Sequence, residues 1–164
     1  MTDYTTLKDT VPPKLKSLLE KAAEFHSHLG PFLTIGVRMG IIGLQKIGKH
    51  DSSRLTITAS LPLQVPFSCI IDGLQVSTNC TIGNQKLSLE DSETIQAKFR
   101  RKDAGREVIV ALKTSQFELM KSELLKKGLS DEKVRELAWI IAGKSIDELF
   151  EITLKTRNLH AAEL

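Results

Sequence analysis

Hydrophobic positions recur along this chain with two different periods, and the changes of period mark its elements. After Pro12-Pro13, the residues Leu15, Leu18, Leu19, Ala22 and Ala23 recur at helical spacing. Proline is tolerated in the first helical turn, where its missing N–H has no partner to lose, so the pair predicts a helix start. Thr34 to Ile47 predicts a second, mostly apolar helix ended by Gly48. Gly36, Gly40 and Gly43 form a stripe along one side of it. Small residues at that spacing let another backbone come close, by core packing or across a dimer axis.

The period then changes to two. Leu55, Ile57, Ala59 and Leu61 alternate with Arg54, Thr56, Thr58 and Ser60, the pattern of a half-buried strand. Pro62 and Pro66 close it, and Phe67 to Ser77 predicts a short helix. Thr94 to Lys102 and Arg106 to Lys113 predict two strands joined by the turn Asp103-Ala104-Gly105. Gln116 to Lys127 predicts an amphipathic helix ended by Gly128. Ser130-Asp131-Glu132-Lys133 carries a capping serine and first-turn acids, and predicts a helix through Leu137, Ile140 and Ile141 to Gly143. Ser145 to Phe150 predicts one more helical turn, and Leu159 to Leu164 a loosely held tail. This order predicts an α+β fold: an antiparallel sheet packed against several helices in a single domain. Within it, residues 1–113 are expected to form the core and residues 114–164 a C-terminal helical extension packed on that core.

Length and charge narrow the partners. A chain of 164 residues can bury a substantial core without disulfides. No apolar run reaches the ~20 residues that span a bilayer, so no membrane is expected. Met1-Thr2-Asp3-Tyr4 has neither the basic start nor the apolar stretch of a secretory signal, which predicts a cytoplasmic protein. There Cys69 and Cys80 are expected as reduced thiols or ligands. A net charge of +3 with 5% aromatics offers neither a basic face nor a stacking platform, so no nucleic acid is expected.

Chemistry-bearing residues fall into two clusters. In Phe25-His26-Ser27-His28-Leu29-Gly30-Pro31 the histidines are two apart. On a continuous helix they would point roughly 200° apart, at ~100° per residue. Pro31 pushes the preceding residue out of helical geometry, which predicts a break between two helices. His28 then lies just before a helix N-terminus, a position that favours bound anions. Arg38, further along that helix, either joins such an anion site or pairs with a carboxylate such as Asp72. The alternative for the histidines is a packed or capping role. In the second cluster Cys69, Asp72 and Gln75 are three apart and share a helix face. They read as ligand and orienting groups, or as a buried apolar cysteine beside a first-turn aspartate. Cys80 follows in Thr78-Asn79-Cys80-Thr81-Ile82-Gly83, where hydroxyls and N–H groups would stabilise a thiolate. Sulfur and imidazole donors gathered this way suit zinc or another transition metal. His50, in an expected loop, and His160, in the tail, have no cluster around them.

The two clusters resemble the formylmethanofuran dehydrogenase E-subunit family. The family pattern F-H-G-H-x-C-P-G, followed by a helix with G-x-R-x-G, is similar to Phe25 to Pro31 and then Gly36-Val37-Arg38-Met39-Gly40. The second block, C-x-x-D-A-I-Q-x-x-T-G-C-T-x-G, is similar to Cys69-Ile70-Ile71-Asp72-Gly73-Leu74-Gln75-Val76-Ser77-Thr78-Asn79-Cys80-Thr81-Ile82-Gly83. The resemblance covers about Leu15 to Lys113. Four positions depart from it: Gly30 replaces a cysteine, Phe32 a glycine, Ser27 a glycine and Asn79 a glycine. Gly30 removes a potential sulfur ligand, which implies weaker metal binding, a water ligand or another role. Many relatives carry a cysteine-rich zinc finger, but no cysteine follows Cys80, so none is expected within these residues.

The resemblance implies a metal-binding protein with His28, Cys69 and Cys80 as ligands and His26 as a fourth ligand or behind them. Arg38, Asp72 and Gln75 would orient ligands or hold a small anionic molecule. It also implies a role accessory to a methanofuran or molybdoenzyme pathway of methanogenesis, beside a molybdenum or tungsten enzyme complex. Apart from the resemblance, the glycine stripe of the second helix makes a homodimer the expectation. The chain has no molybdopterin signature and no four-cysteine iron–sulfur pattern, so it would not carry that redox chemistry alone. Two alternatives stand beside this reading. One is a hydrolase or hydratase using a metal with an open position, or Cys80 as nucleophile. The other is a non-catalytic dimerisation module.

Overall fold

A computed structural model describes residues 4–48, 54–103 and 105–156. His50, Ala104 of the predicted turn, His160 and the predicted tail lie outside the described residues. The chain is α+β. The helices α1 (Tyr4–Thr10), α2 (Pro13–His26) and α3 (Pro31–Ile47) come first, then β1 (Leu55–Leu61), α4 (Cys69–Thr78) and β2 (Leu87–Asp91). The hairpin β3 (Gln96–Arg101) and β4 (Arg106–Leu112) follows. The chain then runs through α5 (Thr114–Leu124), α6 (Asp131–Gly143), α7 (Ile146–Leu149) and β5 (Phe150–Thr156).

One five-stranded sheet has the order β2-β1-β3-β4-β5. Three of its pairings are antiparallel, and β1–β2 is parallel, with Ile57 opposite Leu87 and Leu61 opposite Asp91. The alternation in β1 buries Leu55, Ile57, Ala59 and Leu61 on one face, joined there by Ala97, Phe99, Val108 and Val110. α3 lies against that face. It is apolar around most of its circumference because it is covered on several sides, and Phe32, Ile35, Val37 and Met39 are all buried.

The glycine stripe is filled within the chain. A Cβ at Gly36 would lie 2.2 Å from the Ile70 carbonyl oxygen, and one at Gly73 would lie 2.4 Å from the Leu33 carbonyl oxygen. The helices α3 and α4 therefore meet through reciprocal glycines, at a separation that no side chain permits. A Cβ at Gly40 would meet Ser77, and one at Gly43 the ring of Phe99. Phe32, Phe67 and Phe117 stack edge to face at 5.2 to 6.0 Å and tie α5 to this pair. Beyond the expected helices, the residues after 113 contribute β5, which adds to the sheet beside β4.

Candidate functional site

The site forms where α2 stops, α3 starts and α4 passes beneath both. α2 ends at His26 because Ser27 takes the left-handed conformation, φ 78°. Gly30 is extended at the head of α3, and its carbonyl oxygen accepts from the N–H and the hydroxyl of Thr34 at 3.1 and 2.9 Å. The break predicted between the histidines is therefore present, and it folds His28 back beside His26. Their ring centroids are 4.7 Å apart.

Asp72, in the first turn of α4, reaches the end of α2. Its Oδ2 lies 2.6 Å from His26 Nδ1. Facing a carboxylate, Nδ1 carries the hydrogen and donates it, so in the neutral ring Nε2 holds the free lone pair. That Nε2 is buried and has no hydrogen-bond partner. Gln75 supports the carboxylate by donating from Nε2 to Asp72 Oδ1 at 3.3 Å. Its own Oε1 accepts from the Ile82 N–H at 3.0 Å, which fixes the amide's orientation. The shared face predicted for residues 72 and 75 is thus a working chain: Gln75 holds Asp72, and Asp72 holds His26.

Cys69 begins α4 and is 9% exposed. Burial, with the nearby charge of Asp72 adding to it, pushes its thiol above the ordinary range. It lines a cleft of ≈ 300 Å³ with His28, Gly30, Leu124, Leu129 and Val134. Cys80 lies just past α4, after the left-handed Asn79, and its N–H donates to Thr78 Oγ1 at 3.1 Å. It is 1% exposed, and burial raises its thiol pKa too, with the Thr78 hydroxyl opposing.

The structure thus links His26, His28, Asp72 and Gln75, and sets Cys69 on a cleft shared with His28. Among the described residues, no three of His, Cys, Asp or Glu converge as a ready-made metal cage. Two donors fit a metal: the orphaned His26 Nε2 and the adjacent His28 ring. Further ligands would have to come from side-chain movement or from a bound molecule. Position 30 faces the same space. A Cβ built on Gly30 would lie 3.4 Å from Val134 and 4.0 Å from His28 Nε2, in ordinary contact.

Arg38 sits elsewhere. Its Nη1 donates to the carbonyl oxygens of Ile141, at 3.0 Å, and of Lys144, at the C-terminus of α6. The partial negative charge of that helix end suits a guanidinium. The pairing with Asp72, one of two readings of the sequence, is not made, because Arg38 is turned to the end of α6. The sequence reading missed the cleft wall from α5, α6 and the loop between them, namely Leu124, Leu129 and Val134. Their apolar pattern marks buried faces without saying against what.

Comparison with known proteins places these observations. Residues 25–158 match the family model described as FmdE, molybdenum formylmethanofuran dehydrogenase operon. A probable S-adenosyl-L-methionine-binding protein from Archaeoglobus fulgidus is 38% identical over 92 residues, which is 55% of this chain. The match spans 25% of that longer relative. Among solved structures, a protein from Syntrophus aciditrophicus resembling FmdE of tungsten formylmethanofuran dehydrogenase superposes with a TM-score of 0.58 at 18% identity. The superposition covers 90% of this chain and 74% of the other, and it speaks for a shared fold.

Proposed function

Because the chain belongs to the FmdE family, we propose that it serves a formylmethanofuran dehydrogenase-type pathway as an accessory protein holding a transition metal, zinc in the first instance. The observation that carries this reading is the Asp72–His26 pair. A carboxylate on Nδ1 fixes the tautomer and raises the basicity of the other nitrogen, as it does for metal-bound histidines. Here that nitrogen is desolvated and unpartnered, an arrangement that costs free energy unless something binds it. His28 is the second ligand. Cys69 borders the cleft, and its protonated thiol makes it a ligand only once a metal displaces the proton. The cleft then receives a small molecule that completes the metal's coordination.

The test is calorimetric titration of zinc into reduced protein near neutral pH. Wild type is expected to bind, and His26→Ala to bind at least about tenfold more weakly. Loss of the supporting carboxylate in Asp72→Asn should cost about 10- to 100-fold in affinity. Gly30→Cys, for which there is room, sets a sulfur beside His28 Nε2 and should tighten binding. Wild type without affinity for zinc, or affinity unmoved by His26→Ala, would end this reading.

A second reading takes the Archaeoglobus relative as its guide. The mostly apolar cleft beside His28 would then bind S-adenosyl-L-methionine without a metal. Titration of that compound into metal-free protein decides between the two.

A further inference from the structure

The two edges of the sheet, β2 and β5, have opposite characters. β2 ends in Glu90-Asp91 and contains no cation, and Asp91 already accepts from the Leu63 N–H at 3.3 Å. Such acids blunt an edge against pairing with another chain. β5 carries Glu151-Ile152-Thr153-Leu154-Lys155, all but Ile152 exposed. Among the described residues, nothing pairs with its outer side.

This strand is complementary to itself. Two copies laid antiparallel about a two-fold axis through Thr153 bring Glu151 opposite Lys155 of the second copy, twice over. Opposite charges directly across an antiparallel pair attract, and like charges repel. The same register sets Ile152 opposite Leu154, again twice. In β2 the equivalent register about Leu89 sets Leu87 against Asp91 and Ser88 against Glu90, with no cation opposite either acid.

The apolar pair supports the same register. In the β4–β5 ladder Leu154 lies opposite Val108 and Ile152 opposite Val110. Residues directly opposite share a face, and both valines are buried. Ile152 and Leu154 therefore belong to the helix-covered face of the sheet. Leu154 is nonetheless 62% exposed, on the edge strand of the sheet. Four side chains meeting across the axis would extend the core instead of ending it in water. The glycine stripe on α3 is filled by α4 and Phe99, so it offers a second chain no surface.

We propose that β5 is the interface at which two copies of this chain join, in register through Thr153, into one continuous ten-stranded sheet. The pairing is isologous, so each partner offers the same strand. It is independent of any metal or ligand in the cleft.

Sedimentation of the full chain across the micromolar range tests this. Wild type is expected to dimerise. Lys155→Glu sets like charges opposite Glu151 at both ends of the pairing and should weaken the dimer roughly tenfold or more, from two reversed cross-strand pairs. Lys155 also lies opposite Glu107 in the β4–β5 ladder, so thermal melts of each variant must show β5 still docked. With that control, Glu151→Lys combined with Lys155→Glu exchanges the charges between copies and should recover the greater part of the affinity that Lys155→Glu alone loses. Independently, Thr153→Cys places two thiols on the axis and should give a disulfide-linked dimer on mild oxidation, while Ser88→Cys on β2 should not. A wild-type monomer throughout, a dimer indifferent to Lys155→Glu, no recovery in the exchanged pair, or linkage through position 88 and not 153 would each overturn the proposal.

Discussion

Gly36→Ala adds one methyl group where α3 meets α4, and the structure sets its cost. The new Cβ would lie 2.2 Å from the Ile70 carbonyl oxygen and 2.9 Å from the Ile70 Cα and carbonyl carbon. The first distance is about 1.2 Å short of the 3.4 Å at which ordinary contact begins. Every atom it meets is backbone, so no rotamer change relieves the overlap. Two buried helices must move apart. Alanine in an exposed helix would gain about 1 kcal/mol over glycine. Overpacking typically costs about 1–3 kcal/mol, and with backbone on both sides the upper end applies. The expected net loss is about 2 kcal/mol, or a melting temperature lower by about 4–8 °C for a chain of this size. Gly143 ends α6, and a Cβ there would meet nothing within 4 Å. Gly143→Ala therefore shows the propensity alone and should raise stability by up to about 1 kcal/mol. Paired thermal melts give both numbers. Because α4 carries Asp72, Gly36→Ala should also lengthen the 2.6 Å contact to His26 and weaken zinc binding. Should Gly36→Ala melt at or above wild type while Gly143→Ala gains as expected, the close approach of α3 and α4 would be refuted.

Two further outcomes follow from buried groups. Arg38→Met removes the donor to the Ile141 and Lys144 carbonyls and should cost about 1–3 kcal/mol, read from urea unfolding; a change below about 0.5 kcal/mol would show that water serves those carbonyls as well. Cys69 and Cys80 both have folded-state pKa values raised above their ordinary 9.0 by burial, so their contribution to stability is complete below that value and is lost as pH rises through the folded values. Urea midpoints should therefore fall on the alkaline side of 9.0, and fall less in Cys80→Ala; a variant that follows wild type throughout would remove the cysteine from that account.

Where local pattern suffices, the fold was legible. The strand β1, the β3–β4 hairpin, the Ser130 cap and the break between His26 and His28 all rest on short-range chemistry, and each stands as expected, with Ser130 Oγ accepting from the Lys133 N–H at 3.1 Å. Strands whose identity depends on their neighbours were not legible. β2 is five residues long and pairs with β1 in parallel, so no turn signal joins the two. β5 follows α7 without any intervening breaker, which hid it, although Phe150, Ile152 and Leu154 alternate with Glu151, Thr153 and Lys155 over a strand as long as β1. The site shows the same divide. Spacing put Asp72 and Gln75 on one face, but the bond between His26 and Asp72 joins residues 46 apart on two helices, which no periodicity reports. Arg38 has a comparable history: its partners are backbone carbonyls on α6, and carbonyls leave no mark in a sequence.

The parallel pairing of β1 with β2 has a consequence for how the site comes into being. Parallel neighbours need a crossover between them, and here the crossover holds α4. Cys69, Asp72 and Gln75 are thus carried on a connection whose two ends are fixed by the sheet, and the histidines that Asp72 must meet come from the helices that precede β1. The far end of that connection is fixed only when the edge strand docks, a non-local step that costs loop closure before any contact repays it. In a folding experiment followed by pulse-labelled hydrogen exchange, the site should mature with β2 and after the β3–β4 hairpin, which closes locally.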